Sequence, residues 1–594
     1  MIPPEGGAFA LLHRPATAPG LVEILACAAG EPADDEDALV VLPMGAAPVV
    51  TLRVTGRSAM PVADALDELP RDLPELTAGE FDIADDEYAA VAGRVLSENI
   101  ARGDGSNFVI RRDYRAAYRN WSPCHAMALF RRLLMGENGA YWTFVVHWAG
   151  RTLAGATPEC HVRMHGGRVT MNPISGTYRY PPGGPRADGL RRFLADAKER
   201  DELLMVVDEE LKMMARVCEG GGRVRGPWLR PMSRLAHTEY EIEGRTRRDP
   251  AEVLRLTMPV PTVTGSPVAS ALRVLAAHEP ADRGYYGGVL ALVARRDGPA
   301  GMDSALLIRT ADIGADGRVT AAVGATLVRG SDPRAEAGET RAKAAALLAA
   351  LRPGPDPAPS PAVARTRLRG RNDGLSRFWF GARDEPPDPV LAGRRLLVVD
   401  AEDGFTAMLA RLAESLGPAV RIMPWHGEPA GPADAVLLGP GPGDPRDRGD
   451  PRIGRLHELA RRLLAARTPL LAVCLGHQVL ADELGLTVTR LREPAQGTRR
   501  TITVGGRPER VGFYNSFTVL SGHDEFWSPL TAGPVQVERD LVTGAVHTLR
   551  APGLHSVQFH VESVLTEHGP ALLRRMVREA LASPVAQPSY GDGR

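Results

Sequence analysis

Two groups of residues have the types and spacing to do chemistry. Cys474 ends the apolar run of PLLAVCLGHQVLADELG (469–485), with small and turn-forming neighbours, and the chain passes at once into helix-forming residues. A strand–tight turn–helix unit of this kind lifts a nucleophile out at the end of a sheet and points a helix N-terminus at it. The helix dipole and a neighbouring imidazole would favour the thiolate near neutral pH. His560 and Glu562 in HSVQFHVES (555–563) are two apart, so on an extended segment they would face the same way as base and orienting acid. The second group is acidic. Glu199 and Glu202 are three apart in the helix-like run RRFLADAKERDELLMVVDEELKMMARVCEG, and Glu336 and Glu339 repeat the spacing after an Asp-Pro helix start. Two such pairs brought together make an oxygen cage suited to Mg²⁺, with open positions for a substrate carboxylate.

The elements that must position these groups fall on either side of a proline-rich boundary. A chain of 594 residues is too long for one core. RPGPDPAPS (352–360) makes a stiff, extended spacer. It is followed by an Arg-rich stretch, by Phe378-Trp379-Phe380, which is expected to dock on a domain surface, and by EPPDP. The expected divisions are therefore 1–351, a linker at 352–392, and 393–594. In the last, the strand LLVVD (396–400) and helical segments at 405–416 and 455–466 alternate as in a doubly wound α/β domain. The stretch 82–103 reads as a helix of the first half. A formal net charge of −1 without a basic tract argues against nucleic acid and an anionic membrane surface. No apolar run reaches a spanning length, and no secretory signal stands at the N-terminus. Five cysteines, odd in number and without metal-like spacing, fit a reducing cytoplasm. Lysine occurs only at 198, 212 and 343.

From about 394 to 581 the sequence resembles the class I glutamine amidotransferases. The resemblance implies a flavodoxin-like domain in which Cys474 attacks the glutamine carboxamide, His560 moves the proton and Glu562 orients His560. It further implies an oxyanion hole from the N–H groups of Leu475 and of Gly441 in GPGPGDP (439–445), and Gln478 facing the substrate's amino-acid end. Ser516 and Phe517, in a Tyr514-Asn515-Ser516-Phe517 segment, would hold glutamine through their backbone.

From about 143 to 348 the sequence resembles the chorismate-utilising enzymes, the family of anthranilate, aminodeoxychorismate and isochorismate synthases. The matching motifs are AGATPE (154–159), NPISGT (172–177), KERDE, AHTEYEIEG (236–244), TVTGSP (262–267), RGYYGG (283–288), LLIRT (306–310) and GSDPRAEAGE (330–339). An anthranilate synthase component I-like α+β domain is implied. Glu202 and Glu339 would hold Mg²⁺ directly, with Glu199 and Glu336 acting through water or as general acid. Arg309 would fork onto the enolpyruvyl carboxylate. Thr262 and the glycines Gly265, Gly287 and Gly288 would approach the other carboxylate, and His237 would stand near the reacting ring.

Departures from anthranilate synthases distinguish the possible products. Residues 209–214 read EELKMM in place of L-G-R-N-D-L, no tryptophan-sensing L-L-E-S appears near the N-terminus, and the DEELKMM run resembles the phenazine- and enediyne-pathway branch, with Lys212 inside it as a candidate substrate-binding residue. That branch makes 2-amino-2-desoxyisochorismate (ADIC) and stops before pyruvate is lost. The expectation is a fused, glutamine- and Mg²⁺-dependent enzyme aminating chorismate at C2, with ammonia passed internally and an intertwined homodimer as the assembly. A fused anthranilate synthase or an aminodeoxychorismate synthase is the alternative.

Overall fold

The computed structural model describes residues 7–582 apart from 182, 297–299, 358–364, 369, 382–385 and 430. Much of the proline spacer therefore lies outside the described residues. In the first half, strands join a network of 19, the last of which, Thr366–Arg367, comes from beyond that spacer. Its longest ladder pairs Asn107–Ala117 with Arg318–Val328, antiparallel along eleven residues each. The first eight residues of Asn107–Ala117 are buried, the charged Arg111, Arg112 and Asp113 among them.

Two helices matter for the site. Pro333–Leu351 begins where the sequence predicts: the Asp332 side chain accepts from the Ala335 N–H and Pro333 takes the first helical position. The acidic run, expected to be one helix, is split at Asp196, whose ψ of 124° is extended; the pieces are Ala187–Ala195 and Ala197–Val217. The expected 82–103 helix is Asp85–Arg94, continued by a π turn at Val95–Asn99 and a 3-10 turn at Ile100–Arg102.

The second half is the doubly wound domain. Its sheet runs Ala419–Pro424, Arg395–Asp400, Ala435–Leu438, Leu470–Val473 and Leu554–Val557 in parallel, extended by three antiparallel strands. Helices include Phe405–Ser415, Pro451–Ala465 and Leu475–Glu483. The inner strands Ala435–Leu438 and Leu470–Val473 are fully apolar, as burial on both faces demands. A long hairpin, Thr487–Val504 with Arg507–Leu520, stands beside this sheet.

Trp379 docks as the sequence suggested, and on both halves. It is 0% exposed. Its indole N–H donates to the Glu562 carbonyl at 2.6 Å, and its own carbonyl accepts from Val224 N–H at 2.7 Å. No helix among the described residues is long and apolar enough to cross a membrane.

Candidate active sites

At the end of strand Leu470–Val473, Cys474 has φ 52° and ψ −107°, a strained corner, with helix Leu475–Glu483 starting at the next residue. Such strain persists only where packing over-determines it. Here the Cys474 N–H donates to Val557 O at 3.0 Å, and Gly476 fits because a Cβ there would lie 2.3 Å from the Leu438 carbonyl. The thiol lies 3.7 Å from the Tyr514 carbonyl. His560 Nδ1 meets Glu562 Oε1 at 2.8 Å, both side chains buried. The pair sits in a turn beyond strand Leu554–Val557, with His560 bridged to Gly512, rather than on the extended segment expected. Burial opposes a charged ring, yet Cys474 and Glu562 together hold the His560 pKa well above its ordinary value. A positively charged imidazole beside a cysteine favours the thiolate, the form that attacks.

Leu475 N–H opens the helix, and Gly441 packs so closely that a Cβ would meet the Ala401 carbonyl at 2.6 Å and the Leu475 side chain at 2.7 Å. Gln478 does not end in open space. Its amide donates to Phe517 O at 2.7 Å and to Gln558 Oε1 at 3.0 Å, and Asn515 Nδ2 adds a second donor to Phe517 O. Gln478 thus fixes the strand that presents Ser516. The hairpin register skips Ser516, between Ala495↔Asn515 and Arg490↔Phe517.

The acidic group lines a separate cavity in the first half. Glu159, Glu202, His237, Thr262, Arg309, Glu339 and Lys343 surround it. Glu202 comes from helix Ala197–Val217, while Glu339 and Lys343 lie one turn apart on Pro333–Leu351. His237 Nδ1 is 2.7 Å from Gly176 O, so it carries the proton, and Nε2 accepts from Arg309 at 2.8 Å. Burial, then the Arg309 charge, pushes His237 down to about 3, so the ring is neutral and a poor base. Lys343 Nζ lies 2.7 Å from Glu339, and this pair keeps the lysine charged and the acid ionised against the cost of burial. Burial pushes Glu159 up to about 7, opposed by a hydrogen bond from Thr262 at 2.9 Å. A carboxyl of that kind is a proton donor near neutrality.

Several sequence expectations need correction. The amides of Gly265, Gly287 and Gly288 are spent on backbone carbonyls of Pro261, Leu307 and Tyr285, so none is available to a carboxylate. The glycines that line the cavity are Gly176 and Gly324. Lys212 stands outside the cavity, buried between the two halves: 2.7 Å from Glu209, 3.6 Å from Asp403 and 3.8 Å from the centre of the Phe405 ring. Glu199 and Glu336 are not among the lining residues; Glu199 lies behind Gly176, 2.9 Å from where a Cβ would be, and Glu336 is buried in the first turn of its helix.

The cavity's donors suit a hard divalent cation, since Glu202 and Glu339 put carboxylate oxygens on one space. The four acids are not gathered into one shell. Among the described residues, the group with ligand atoms mutually within 4.8 Å is His457, Asp482 and Glu483, where Arg448 and Arg461 already neutralise the acids.

Residues 63–349 match the chorismate binding enzyme family, and residues 397–580 match glutamine amidotransferase class-I. The chain is 43% identical over 628 residues to "Anthranilate synthase, phenazine specific" of Pseudomonas chlororaphis, covering 100% of this chain and 98% of that one. The chain belongs to the phenazine-specific anthranilate synthase family. The Pseudomonas fluorescens protein of that name is also 43% identical, over 620 residues, covering 99% of this chain and 97% of its own length. The anthranilate synthase of Azospirillum brasilense is 34% identical over 75% of this chain and 58% of its own. Membership makes the Cys474 centre and the acidic cavity the two halves of one amidotransferase–synthase pair with glutamine and chorismate as substrates.

Sequence reasoning missed the residues that join the halves. Residues 100–103 pack on the amidotransferase: Gly103 O accepts from Gly443 N–H at 3.1 Å, Ala101 O from Arg490 at 2.7 Å and Ile100 O from Ser516 at 3.3 Å. Asp208, Glu159 and Lys343 were also unassigned. The Glu159 signal was present in ATPE, a motif that ends on an acid beside a proline turn.

Proposed function

We propose that this enzyme makes ADIC from chorismate and glutamine and stops before pyruvate is eliminated. One observation carries the reading. The DEELKMM helix, which departs from anthranilate synthases, packs its Asp208 and Lys212 against the amidotransferase while its earlier turn puts Glu202 into the synthase cavity. The full-length identity with phenazine-specific relatives supports it.

In this reading the Cys474 thiolate attacks the glutamine carboxamide, with the oxyanion held by the N–H groups of Leu475 and Gly441. His560 gives its proton to the departing ammonia, and water then releases glutamate. Ammonia moves through the protein to the synthase cavity, where it stays unprotonated and at high effective concentration. Arg309 leaves His237 to meet the enolpyruvyl carboxylate, and Lys343 supplies the second positive charge. Glu202 and Glu339 would hold Mg²⁺, with Glu199 and Glu336 behind them, and the cation supplies charge for the ring carboxylate. Ammonia adds at C2 as the double bonds shift and the C4 hydroxyl leaves; Glu159 donates the proton that turns it into water. His237, too weak a base to take a proton at neutral pH, accepts a hydrogen bond from the substrate at the Nε2 that Arg309 vacates.

The assembly we propose is the intertwined homodimer. Sedimentation showing a fully active monomer would contradict this assembly. The product is tested by turning over chorismate, glutamine and Mg²⁺ and assaying pyruvate and anthranilate fluorescence. Neither should appear; stoichiometric pyruvate with anthranilate would make the enzyme a fused anthranilate synthase instead, and a C4-aminated regioisomer by NMR would make it an aminodeoxychorismate synthase.

A further inference from the structure

Asp208 is 0% exposed, lies in the synthase half and accepts hydrogen bonds from the amidotransferase. Its Oδ2 accepts from the Tyr514 hydroxyl at 2.7 Å and the Ser563 hydroxyl at 2.5 Å, and its Oδ1 from the Val564 N–H at 2.8 Å. Those donors flank the triad on two sides. Tyr514 offers its carbonyl to the Cys474 thiol and sets its ring 5.3 Å from that of His560, edge to face. Phe405 packs on both rings, at 4.9 Å from Tyr514 and 4.4 Å from His560. Ser563 and Val564 directly follow Glu562. A buried carboxylate with three converging donors fixes all three groups, because each hydrogen bond to a charged acceptor is strong and none can be replaced by water.

We propose that Asp208 is a positioning residue for glutamine hydrolysis, clamping the two amidotransferase segments that carry the triad from the synthase side. It touches neither glutamine nor the reacting atoms. Its effect runs through Tyr514 to Cys474 and through Ser563–Val564 to His560 and Glu562. An ordinary interface bond on the same helix, Arg411 to Ala215 O at 2.9 Å, provides the contrast.

The inference rests on reading Cys474 as the glutaminase nucleophile. Glutamate release surviving in Cys474→Ala would remove that reading however Asp208→Asn behaved. In the full-length chain, Asp208→Asn is expected to lower kcat for glutamate release about 10- to 100-fold, the scale of a small misplacement of reacting groups. KM for glutamine should stay within about two-fold, since Ser516 is held from elsewhere. Alkylation of Cys474 by iodoacetamide should slow in parallel, while ammonium-dependent chorismate consumption and Arg411→Ala glutaminase kcat stay at the wild-type level. Tyr514→Phe and Ser563→Ala, each removing one donor, should give smaller losses in kcat of the same kind, and they decide the matter if Asp208→Asn does not fold. Wild-type kcat and alkylation rate in these variants, or equal loss of glutamine- and ammonium-dependent turnover, would overturn the proposal.

Discussion

Cys474, His560 and Glu562 come together at the ends of two neighbouring central strands, from a strand end and the turn beside it, whereas Glu159, Glu202, His237, Arg309, Glu339 and Lys343 reach their cavity from distant stretches of chain. The triad is set for reaction: His560 is already oriented by Glu562, and the corner at Cys474 already holds the thiol beside the Tyr514 carbonyl. In the synthase cavity the cations already have partners, Arg309 the neutral His237 ring and Lys343 the Glu339 carboxylate. A dicarboxylate substrate must therefore take partners away from existing contacts. One centre is governed by the placement of a nucleophile, the other by exchange of ion-pair partners in a buried space, where an unpaired charge is costly.

The contrast can be broken most forcefully at Cys474. Cys474→Ala should lower glutamate release by ~10⁴-fold or more, since members of a nucleophilic unit fail together. Ammonium-dependent turnover of chorismate should remain. A comparable loss with ammonium would mean that the two centres are not separable.

Glu339→Gln should act the other way round. Chorismate consumption should fall by about 10²–10³-fold with either nitrogen source, the scale seen when one preorganised charge at a reacting site is lost. Cys474 should still react with iodoacetamide at the wild-type rate. A loss confined to glutamine-dependent turnover would assign Glu339 to coupling instead.

Glu159→Gln should cost about 10²-fold in kcat, the lower range for a missing general acid. The pH profile gives the sign. An acid pushed up to about 7 is protonated below that pH and loses its proton as pH rises through it. Ammonium-dependent kcat, corrected for free ammonia, should therefore fall above about pH 7 in the wild type, and that limb should vanish in Glu159→Gln.

Lys212→Met should have the smallest effect on catalysis and sharpen the comparison most. Lys212 is buried between the halves, so removing it leaves Glu209 without its charge partner and should cost about 3 kcal/mol of stability. A lower unfolding midpoint with an unchanged KM for chorismate is expected. A raised KM would return Lys212 to the substrate site.

The same contrast explains what was legible in the sequence. The amidotransferase centre could be read because its chemistry is local: an apolar strand, a Cys and a helix in one run, with His560 and Glu562 two residues apart. Glu202 and Glu339 were also legible, through helical spacing and the Asp332-Pro333 start. Gly287 and Gly288 misled, because a glycine pair announces close approach without saying what approaches; here it is neighbouring backbone rather than a ligand. Lys212 misled because helix periodicity fixes a face but not what packs on it, and that face meets Asp403 and Phe405 of the other half. Asp208 stayed invisible because its partners lie more than three hundred positions away, at 514, 563 and 564.

The most direct test of the account is the fate of one nitrogen. Chorismate should be turned over with amide-¹⁵N glutamine in an excess of unlabelled ammonium at a pH where little free ammonia exists, and the product examined by mass. The account predicts a labelled product that still carries its enolpyruvyl group. An unlabelled product would contradict internal transfer, and labelled anthranilate with free pyruvate would contradict a reaction that stops at ADIC.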